Sequence, residues 1–372
     1  MVNSTVINSG GTVTEEHRAF CIVGWSVPDR ILIQGLTISG GYASEGGGIY
    51  SFSNVQIADC IFRDNIANYG GAVYFGTGWT ERPGVGCCRR CGGEPIYYWM
   101  LPSFISRCTI TNNTANYGGG IYGPAELFDK NLIVHNTADY GGGVYCWGAS
   151  IFNNTIVQNS AVYGGGIYNV GTTDGTINNS ILWGNTASEG GQIALVASTI
   201  GCNYSNIEGG AAEIYVDPNS TLNWGLGNID TDPLFVESGY WDPNSTPTDP
   251  NDDFWVNGDY HLLPDSPCID TGDPNYPEDA NEFDIDGDTR IIGGRIDMGA
   301  DEYAFGELSD FSGNGIVSFE DFAVLAEYWM DYVCAEPDWC EGCDFDHSGL
   351  VDLNDLRKFA ENWLWQAAWY GE

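Results

Sequence analysis

The chain has 372 residues, among them 51 Gly, 21 Tyr and 13 Trp, and a formal net charge of −39. This charge argues against a nucleic-acid partner or an anionic membrane surface, because phosphates repel a polyanion, and it favours divalent cations. No apolar run approaches the roughly 18 residues that would span a bilayer. Residues 211–372 hold 37 of the 51 acidic side chains.

The N-terminal segment MVNSTVINSGG lacks the basic and apolar regions of a signal peptide. We interpret this start as that of a mature form or of a piece of a longer protein. The 12 cysteines suit an oxidising exterior better than a cytoplasm. We therefore expect a secreted or cell-surface protein.

A glycine-rich phrase recurs through the first half of the chain. It reads GGGIY at 46–50, GGAVY at 70–74, GGGIY at 118–122, GGGVY at 141–145, GGGIY at 164–168 and, degenerately, GGQIA at 190–194. Successive copies are 24, 48, 23, 23 and 26 residues apart, and the double step contains an extra segment at 76–103. A fixed period of this length indicates a repeat architecture.

Apolar residues alternate with period 2 inside each repeat, as in CTIT and NTIV, which predicts short strands. A coil of 23–24 residues accommodates three strands with turns, each pairing with its equivalent in the next coil. The predicted fold is therefore all-β, a right-handed parallel β-helix. Two inward ladders are expected: Ile49, Val73, Ile121, Val144, Ile167 and Ile193 in one, and Phe62, Ile110, Ile133, Ile156 and Leu182 in the other.

The glycines are expected at a tight corner, where a positive φ is required. An asparagine stands five residues before most glycine clusters, at Asn65, Asn113, Asn136, Asn159 and Asn185. We expect these asparagines to hydrogen-bond along the stack, because Asn tolerates the left-handed region.

The motif [FI]-x-x-N before GG-[GA]-[IV], as in FRDN at 62–65 and ITNN at 110–113, resembles the repeat of polymorphic outer-membrane proteins and related right-handed β-helix proteins. The segments NIDTDPLFV at 228–236 and IDMGADEY at 296–303 are similar to the end of such helices. The resemblance implies a β-helix over residues 1–303, with a terminal region at 211–303. It leaves the function open, because this fold serves adhesins, lyases and hydrolases alike.

Two acidic loops, each followed by an amphipathic pattern, occupy DFSGNGIVSFEDFAVLAEYW at 310–329 and DFDHSGLVDLNDLRKFAENW at 344–363. Oxygen side chains stand at loop positions 1, 3, 5 and 12, and glycine stands at position 6, as calcium loops require. The expected Ca²⁺ ligands are Asp310, Ser312, Asn314, Ile316 and Asp321 in the first loop, and Asp344, Asp346, Ser348, Leu350 and Asp355 in the second. DIDGDT at 284–289 is a candidate for an extra site.

The duplicated loop resembles a type I dockerin, whose calcium loops carry Asp at position 12. The resemblance implies a calcium-binding domain at 304–372 and a cohesin-like partner. Positions 10 and 11 depart from the family, since Phe319-Glu320 and Leu353-Asn354 replace the usual small hydroxyl pair. The alternative is a vestigial module that binds calcium and docks nothing.

Cysteine positions suggest two kinds of pairing. Cys60 and Cys108 lie ten residues before their glycine clusters, so they are expected on consecutive coils, either as a disulfide or as reduced thiols. Cys334, Cys340 and Cys343 lie between the acidic loops, where a disulfide would brace a small module. The segment CCRRC at 87–91 is compatible with disulfides or with part of a metal site.

Asp59, Arg107 and Lys130 are the catalytic candidates, because they fall in one outward column of neighbouring coils. A polysaccharide lyase needs a basic residue, and a glycoside hydrolase needs paired carboxylates. Opposite charges on adjacent strands are also ordinary surface pairing. Whether the chain is an enzyme stays open at this point, and the balance favours a non-enzyme.

The aromatic residues favour a ligand-binding function over catalysis. Tyrosines follow the inward Ile or Val and precede the glycines in several coils, and stacked aromatics also stabilise sheets by themselves. The expected ligand-binding residues are Trp79, Tyr97, Tyr98 and Trp99 of the extra segment, with Tyr122 and Tyr145 of the sheet. The extra segment could instead contact another copy of the protein.

The leading hypothesis is a binding, structural or adhesive protein whose partners are an extracellular polysaccharide or a surface protein. The first alternative is a polysaccharide lyase or glycoside hydrolase carried on a dockerin. A further alternative is self-association into an extracellular filament or surface layer.

Overall fold

The structure is a computed structural model that describes residues 5–12, 15–23, 30–76, 103–124, 127–171, 174–242, 254–277, 282–292, 294–303, 309–312, 316–332, 334, 340, 342–345 and 348–363. The chain forms two compact units. The first comprises Met1–Pro233, Asp270–Pro277 and Arg295–Asp301, and the second comprises Leu234–Ile269, Glu278–Gly294 and Glu302–Glu372. A domain boundary between 303 and 304 remains a prediction.

The first unit contains a parallel β-solenoid of about seven turns, which confirms the predicted fold class. Its three long sheets, A, B and C, each contain eight strands among the described residues. Sheet A consists, in spatial order, of β1 (Thr5–Asn8), β4 (Leu36–Ser39), β8 (Ile61–Arg63), β12 (Thr109–Thr111), β15 (Leu132–Val134), β18 (Thr155–Val157), β21 (Ile181–Trp183) and β24 (Asn206–Ile207).

Sheets B and C complete each turn. Sheet B consists of β2 (Phe20–Val23), β6 (Ile49–Phe52), β10 (Val73–Phe75), β13 (Ile121–Tyr122), β16 (Val144–Cys146), β19 (Ile167–Val170), β22 (Ile193–Val196) and β25 (Tyr215–Val216). Sheet C consists of β3 (Ile31–Gln34), β7 (Val55–Ala58), β11 (Phe104–Ser106), β14 (Leu127–Asp129), β17 (Ser150–Phe152), β20 (Asp174–Asn178), β23 (Thr199–Asn203) and β26 (Thr221–Trp224). A short parallel pair joins β5 (Tyr42–Glu45) to β9 (Ile66–Tyr69), and a 3-10 helix spans Gly210–Ala212.

Both predicted ladders form the core. Val73 pairs with Ile49 and Ile121 in sheet B, and Ile110 pairs with Phe62 and Ile133 in sheet A. Every member of the two ladders is buried. Sheet C adds a third ladder that the sequence analysis missed: Ile57, Ile105, Phe128, Ile151, Ile177 and Cys202. Each buried aliphatic side chain of this kind contributes about 1.5–3 kcal/mol to stability.

The glycine clusters make the corner before sheet B, as predicted. The first glycine of each cluster has a positive φ: 65° at Gly118, for example, and 67° at Gly141. A Cβ at Gly118 would lie 2.2 Å from the carbonyl oxygen of Ile121, so a larger residue would collide with the backbone. The corner therefore requires glycine for its conformation and for its close approach.

The asparagine column hydrogen-bonds along the stack, as predicted, but for a different backbone reason. The left-handed residue is the one before each asparagine, as at Asn112 and His135, with φ of 54° at both. Asn113 and Asn136 themselves are completely buried, and their amides bond to the next coil. A left-handed residue turns the chain so that the following amide points inward.

The described residues of the second unit form two antiparallel strand pairs and two helices. Strand β27 (Phe235–Glu237) pairs with β30 (Asp259–Leu262), and β28 (Tyr240–Asp242) pairs with β29 (Phe254–Val256). Helix α1 spans Phe319–Glu327 and helix α2 spans Leu353–Glu361. Each helix begins with a capping box, made by Ser318 with Asp321 in α1 and by Asp352 with Asp355 in α2.

Candidate functional site

A column of tyrosines covers the outer surface of sheet B. Five residues share this position in successive coils: Tyr50, Tyr74, Tyr122, Tyr145 and Tyr168. They point away from the core, because the residues beside them, such as Val73 and Phe75, are buried in it. Tyr50 and Tyr168 are nevertheless buried by their neighbours, with 8% and 9% exposed, whereas the three tyrosines between them are half-buried. Neighbouring rings are stacked, with centroids 4.9–5.2 Å apart.

A second tyrosine column runs beside the first, at the residue before each glycine cluster. It consists of Tyr69, Tyr117, Tyr140 and Tyr163, which bridge one another in parallel. Their rings stack with centroids 5.0–5.4 Å apart and contact the first column edge to face, as Tyr117 does with Tyr145 at 84°. Glu45 pairs with one end of this column and Glu189 bridges to the other.

The ring spacing limits what the columns can bind. An aromatic face contacts another molecule at about 3.5–4.0 Å, so a sugar ring inserted between two phenol rings would need a gap of roughly 7 Å. The stacked rings are no more than 5.4 Å apart between centroids. Tyr122 and Tyr145 therefore cannot take a sugar between their faces, and they offer hydroxyls and ring edges to a ligand.

A third column completes this surface, which we call the aromatic face. Its first four members each lie one residue after a paired core position of sheet B: Phe52, Gly76, Trp147 and Val170. Val196 also belongs to it, because it pairs with Val170. Trp147 is half-buried and makes T-shaped contacts with Tyr122 at 5.5 Å and with Tyr145 at 6.3 Å. The three columns carry no charged side chain between Glu45 and Glu189 in the described coils.

The extra segment begins at the edge of the aromatic face. Gly76, the first residue of the segment, donates its N–H to the carbonyl oxygen of Ser51 at 2.8 Å, and Ser103, its last residue, precedes β11 of sheet C. The predicted binding residues Trp79, Tyr97, Tyr98 and Trp99 lie outside the described residues. The sequence analysis did not single out Trp147, although its place one residue after the inward Cys146 makes it outward-facing.

Burial alters the ionisation of the first tyrosine column. It raises the phenol pKa of Tyr50, Tyr74, Tyr122, Tyr145 and Tyr168. Glu45 raises the pKa of Tyr50 further, and neighbouring phenols of the two columns raise the pKa of the other four further. Arg18 lies 5.4 Å from the ring centroid of Tyr50, over its face. At neutral pH the column therefore presents neutral phenols, which both donate and accept hydrogen bonds.

The three catalytic candidates do share one column, at the corner between sheets C and A. Asp59, Arg107 and Lys130 all have left-handed backbones, with φ of 53°, 49° and 56°. Arg107 binds Asp59 through two bonds, Nε to Oδ1 at 2.6 Å and Nη2 to Oδ2 at 3.0 Å. This pairing raises the pKa of Arg107.

Lys130 is buried, contrary to its expected outward position. Its side chain is 5% exposed and forms an ion pair with Asp129. Asp129 also accepts a hydrogen bond from Asn153 Nδ2 at 2.8 Å. Arg107 and Lys130 are thus both paired with carboxylates. Of the three candidates only Asp59 is a carboxylate, whereas a glycoside hydrolase uses two.

The first acidic loop closes around a buried carboxylate. Asp321 is fully buried, and it accepts the N–H of Ser312 at 2.8 Å and the N–H of Ser318 at 2.7 Å. Burial raises the pKa of Asp321, but these hydrogen bonds outweigh it and the net shift is downward. Ser312 Oγ donates to Asp310 at 3.2 Å, so positions 1, 3 and 12 of the loop lie together.

The second loop has a related arrangement. Asp344 at position 1 is fully buried and accepts the N–H groups of Ser348 at 3.0 Å and of Gly349 at 2.7 Å. Gly349 has a φ of 85°, as the turning position 6 requires. Asp355 is also fully buried, and its carboxylate accepts the N–H of Asp352. Asn314 and Asp346 lie outside the described residues.

These buried carboxylates are compatible with Ca²⁺, which prefers carboxylate and carbonyl oxygens. Ser348 Oγ already donates to the carbonyl of Leu350 at 3.1 Å, which brings two expected ligands together. Ile316 occupies position 7 of the first loop, where a backbone carbonyl binds calcium. The donor set fits a calcium site in both loops, and calcium itself remains a prediction.

The turn at 284–289 is organised by one carboxylate. Asp284 Oδ1 accepts the N–H groups of Asp286, Gly287 and Asp288 at 2.8–3.0 Å. Burial raises the pKa of Asp284 to about 6. Its hydrogen bonds to backbone N–H groups account for this turn without an ion, so the extra calcium site stays an untested prediction.

The helical part of the second unit has a small core and one crosslink. Val317, Leu325, Val351 and Phe359 are buried together, with Phe311 and Phe345 packed against them. Cys334 and Cys340 form a disulfide with a Cα–Cα distance of 5.0 Å, and Cys343 is buried in the same core. This confirms that a disulfide braces the segment between the loops. The segment 87–91 lies outside the described residues.

No protein-family model matches the chain, and comparisons with curated proteins and with solved structures give no match either. The resemblances to outer-membrane-protein repeats and to dockerins therefore rest on short sequence motifs alone. Among the described residues, no helix is long and apolar enough to cross a membrane.

Proposed function

We propose that the protein is a secreted or cell-surface binding protein whose aromatic face binds an uncharged extracellular glycan. The observation that supports this is an uncharged surface of stacked tyrosines beside Trp147 in a chain with a net charge of −39. Large uncharged aromatic surfaces on a soluble fold mark interaction sites. An anionic polymer would be repelled by the rest of the chain.

The aromatic face suits an extended chain lying along the solenoid axis. Phenol rings recur once per coil, with centroids 4.9–5.2 Å apart in the first column, so their exposed edges can contact successive sugars of a β-linked glycan. The indole of Trp147 adds the large, amphipathic contact surface that sugar recognition uses. Because the rings are held by stacking, binding orders few side chains and costs little conformational entropy.

The C-terminal loops supply the second part of the proposal. Asp310, Ser312, Ile316 and Asp321 would hold one Ca²⁺, and Asp344, Ser348, Leu350 and Asp355 would help to hold another. Bound calcium would neutralise clustered carboxylates and order the loops that precede α1 and α2. The module would then attach the protein to a cohesin-like partner or to another extracellular surface.

Catalysis is the alternative function, as a lyase or hydrolase acting through Asp59, Arg107 and Lys130. The bidentate Asp59–Arg107 pair and the buried Lys130–Asp129 pair favour a structural role for these residues. Assembly into a filament or surface layer is a further alternative, and it predicts self-association instead of glycan binding.

The test compares binding of the full chain to cello-oligosaccharides, xylo-oligosaccharides and polygalacturonate by calorimetry. We expect binding to at least one neutral glycan and none to polygalacturonate. Trp147→Ala should weaken this binding about tenfold, and Tyr122→Phe should weaken it less, because it removes one hydroxyl and keeps the ring. Trp183→Ala, which removes a half-buried indole on sheet A, is the matched control.

Two results would overturn the proposal. One is the absence of neutral-glycan binding, accompanied by concentration-dependent assembly, which favours the filament. The other is formation of unsaturated or shortened sugar products that Arg107→Ala abolishes, which favours the enzyme. Equal loss of binding in the Trp147 and Trp183 variants would place the glycan elsewhere on the protein.

A further inference from the structure

Cys60 and Cys108 occupy the same position in consecutive coils. Each follows the left-handed corner residue between sheets C and A, and the next residues, Ile61 and Thr109, are paired in register. The N–H of Thr109 donates to the carbonyl of Cys60 at 3.0 Å. In-register parallel neighbours lie about 4.8 Å apart, inside the roughly 4.4–6.8 Å Cα separation that a disulfide spans.

The two thiols also face each other. Both residues are almost completely buried, and the two thiols are near enough to affect each other's pKa: Cys108 lowers the pKa of Cys60, while burial and the neighbouring Cys60 raise that of Cys108. Cys60 Sγ lies 3.1 Å from the carbonyl oxygen of Ala58, and Cys108 Sγ lies 3.2 Å from that of Ser106, so both sulfurs sit over equivalent backbone groups. Both thiols are free in this structure.

Cys146 and Cys202 are the other free cysteines among the described residues of the solenoid, and their register partners are not cysteines. Cys146 pairs in register with Asn169, and Cys202 pairs with Ile177 and Trp224. Beyond Cys108, the corner column continues as an amide ladder, in which Asn131 Oδ1 accepts the N–H of Cys108 at 3.0 Å and Asn154 repeats the contact on Asn131. Two cysteines thus take the place of amides where the ladder begins.

Cys60 and Cys108 are farther apart along the chain than the other neighbouring residues of this corner column. Cys60 and Cys108 are 48 residues apart, whereas the next corner residues, Asn131 and Asn154, are each 23 residues further on. The extra segment accounts for the difference. A crosslink between the two cysteines would therefore join the coils on either side of that segment.

We propose that Cys60 and Cys108 form an inter-coil disulfide in an oxidising environment, and that it closes the segment of chain that carries the insertion. The oxidant is a low-molecular-weight disulfide such as oxidised glutathione. The Cys60 thiolate attacks one glutathione sulfur and releases one glutathione thiolate. The Cys108 thiolate then attacks the Cys60 sulfur and releases the second.

The exchange is balanced. The two protons of the cysteine thiols pass to the two departing thiolates, so two cysteines are oxidised and one glutathione disulfide becomes two glutathione thiols. Because the sulfurs are buried, the exchange takes place while the coils close during folding or open transiently. After closure, burial protects the disulfide from small reductants.

The test uses the full chain, unfolded and reduced, and then refolded either in a glutathione redox buffer or under reducing conditions. Non-reducing peptide mapping by mass spectrometry should find a Cys60–Cys108 crosslink in the oxidised sample alone. Oxidation should also raise the Tm of the solenoid by about 5 °C or more, because the closed loop is long. Cys60→Ser should remove this redox-dependent shift, and Cys146→Ser should keep it.

The mapping needs no variant, so the proposal is testable even if Cys60→Ser fails to fold. It is wrong if Cys60 and Cys108 remain free thiols in the oxidised, folded protein. It is also wrong if the map joins Cys60 or Cys108 to a cysteine at 87–91 instead.

Discussion

Asn136 Oδ1 accepts two hydrogen bonds from Asn113, one from the backbone N–H at 2.9 Å and one from Nδ2 at 3.0 Å. The amide group of Asn136 in turn donates to the carbonyls of Ile110 and Val134. A single side chain therefore joins three segments of two coils. The same relationship repeats between Asn136 and Asn159 and between Asn159 and Asn185.

Replacing Asn136 by Ala should destabilise the solenoid by about 3 kcal/mol, because it leaves the buried N–H of Asn113 without its acceptor and opens a cavity. Urea unfolding followed by circular dichroism measures this change. Asn68→Ala is the control, since Asn68 is exposed and its replacement should cost less than about 0.5 kcal/mol. Equal stability of the two variants would show that the ladder carries little of the folding energy.

Chelation of calcium should disorder helices α1 and α2 of the second unit and leave the solenoid folded. Bound calcium would neutralise the buried carboxylates of the loops, whereas stacked apolar ladders stabilise the solenoid without ions. We expect EDTA to abolish the helical signal and a low-temperature unfolding transition, and to leave the main β transition unchanged. Calorimetry and circular dichroism of the full chain measure both.

Single substitutions test whether the predicted ligands bind the calcium. Asp321→Asn should weaken calcium binding about tenfold or more, because it removes one charge from the ligand set. Glu327→Gln removes an exposed charge from the same helix and should leave calcium affinity nearly unchanged. Unfolding curves that are identical with and without EDTA would mean that the loops are vestigial.

Alkaline pH should destabilise the solenoid through the first tyrosine column. Burial raises the folded-state pKa of phenols such as Tyr122 above the unfolded value of about 10. Their contribution is therefore fully present below pH 10 and is lost as the pH rises through the folded-state values. Tyrosinate absorbance should rise together with loss of the β signal, above the pH at which free tyrosine ionises.

Tyr145→Phe provides the matched comparison for this titration. It keeps the stacked ring and removes one ionising hydroxyl, so stability should fall less steeply above pH 10. Tyr332→Phe removes a largely exposed phenol and should leave the slope unchanged. A slope that is insensitive to Tyr145→Phe would show that the column is solvated in solution.

Sequence period alone predicted the coil, two of its three core ladders and the glycine corner. It did so because strand alternation decides which side chains enter the core. At the glycine corner a positive φ combines with a backbone contact too close for a Cβ, so that corner requires glycine. The disulfide between the acidic loops was also predictable from cysteine spacing. The third ladder was missed because sheet C lacks a repeated motif, and its core position varies from Ile57 to Phe128 to Cys202.

Only the tertiary structure decided how the candidate sites are arranged. The sequence placed Tyr122 and Tyr145 on the surface, but the spacing of their rings follows from the distance between coils, and it leaves edges instead of faces for a ligand. It also placed Lys130 in the same column as Arg107, but Asp129 and the surrounding corner bury the lysine. Alternation along a strand determines the direction of a side chain, whereas its burial and partners depend on neighbouring coils and on packing around the corner, which no single repeat encodes.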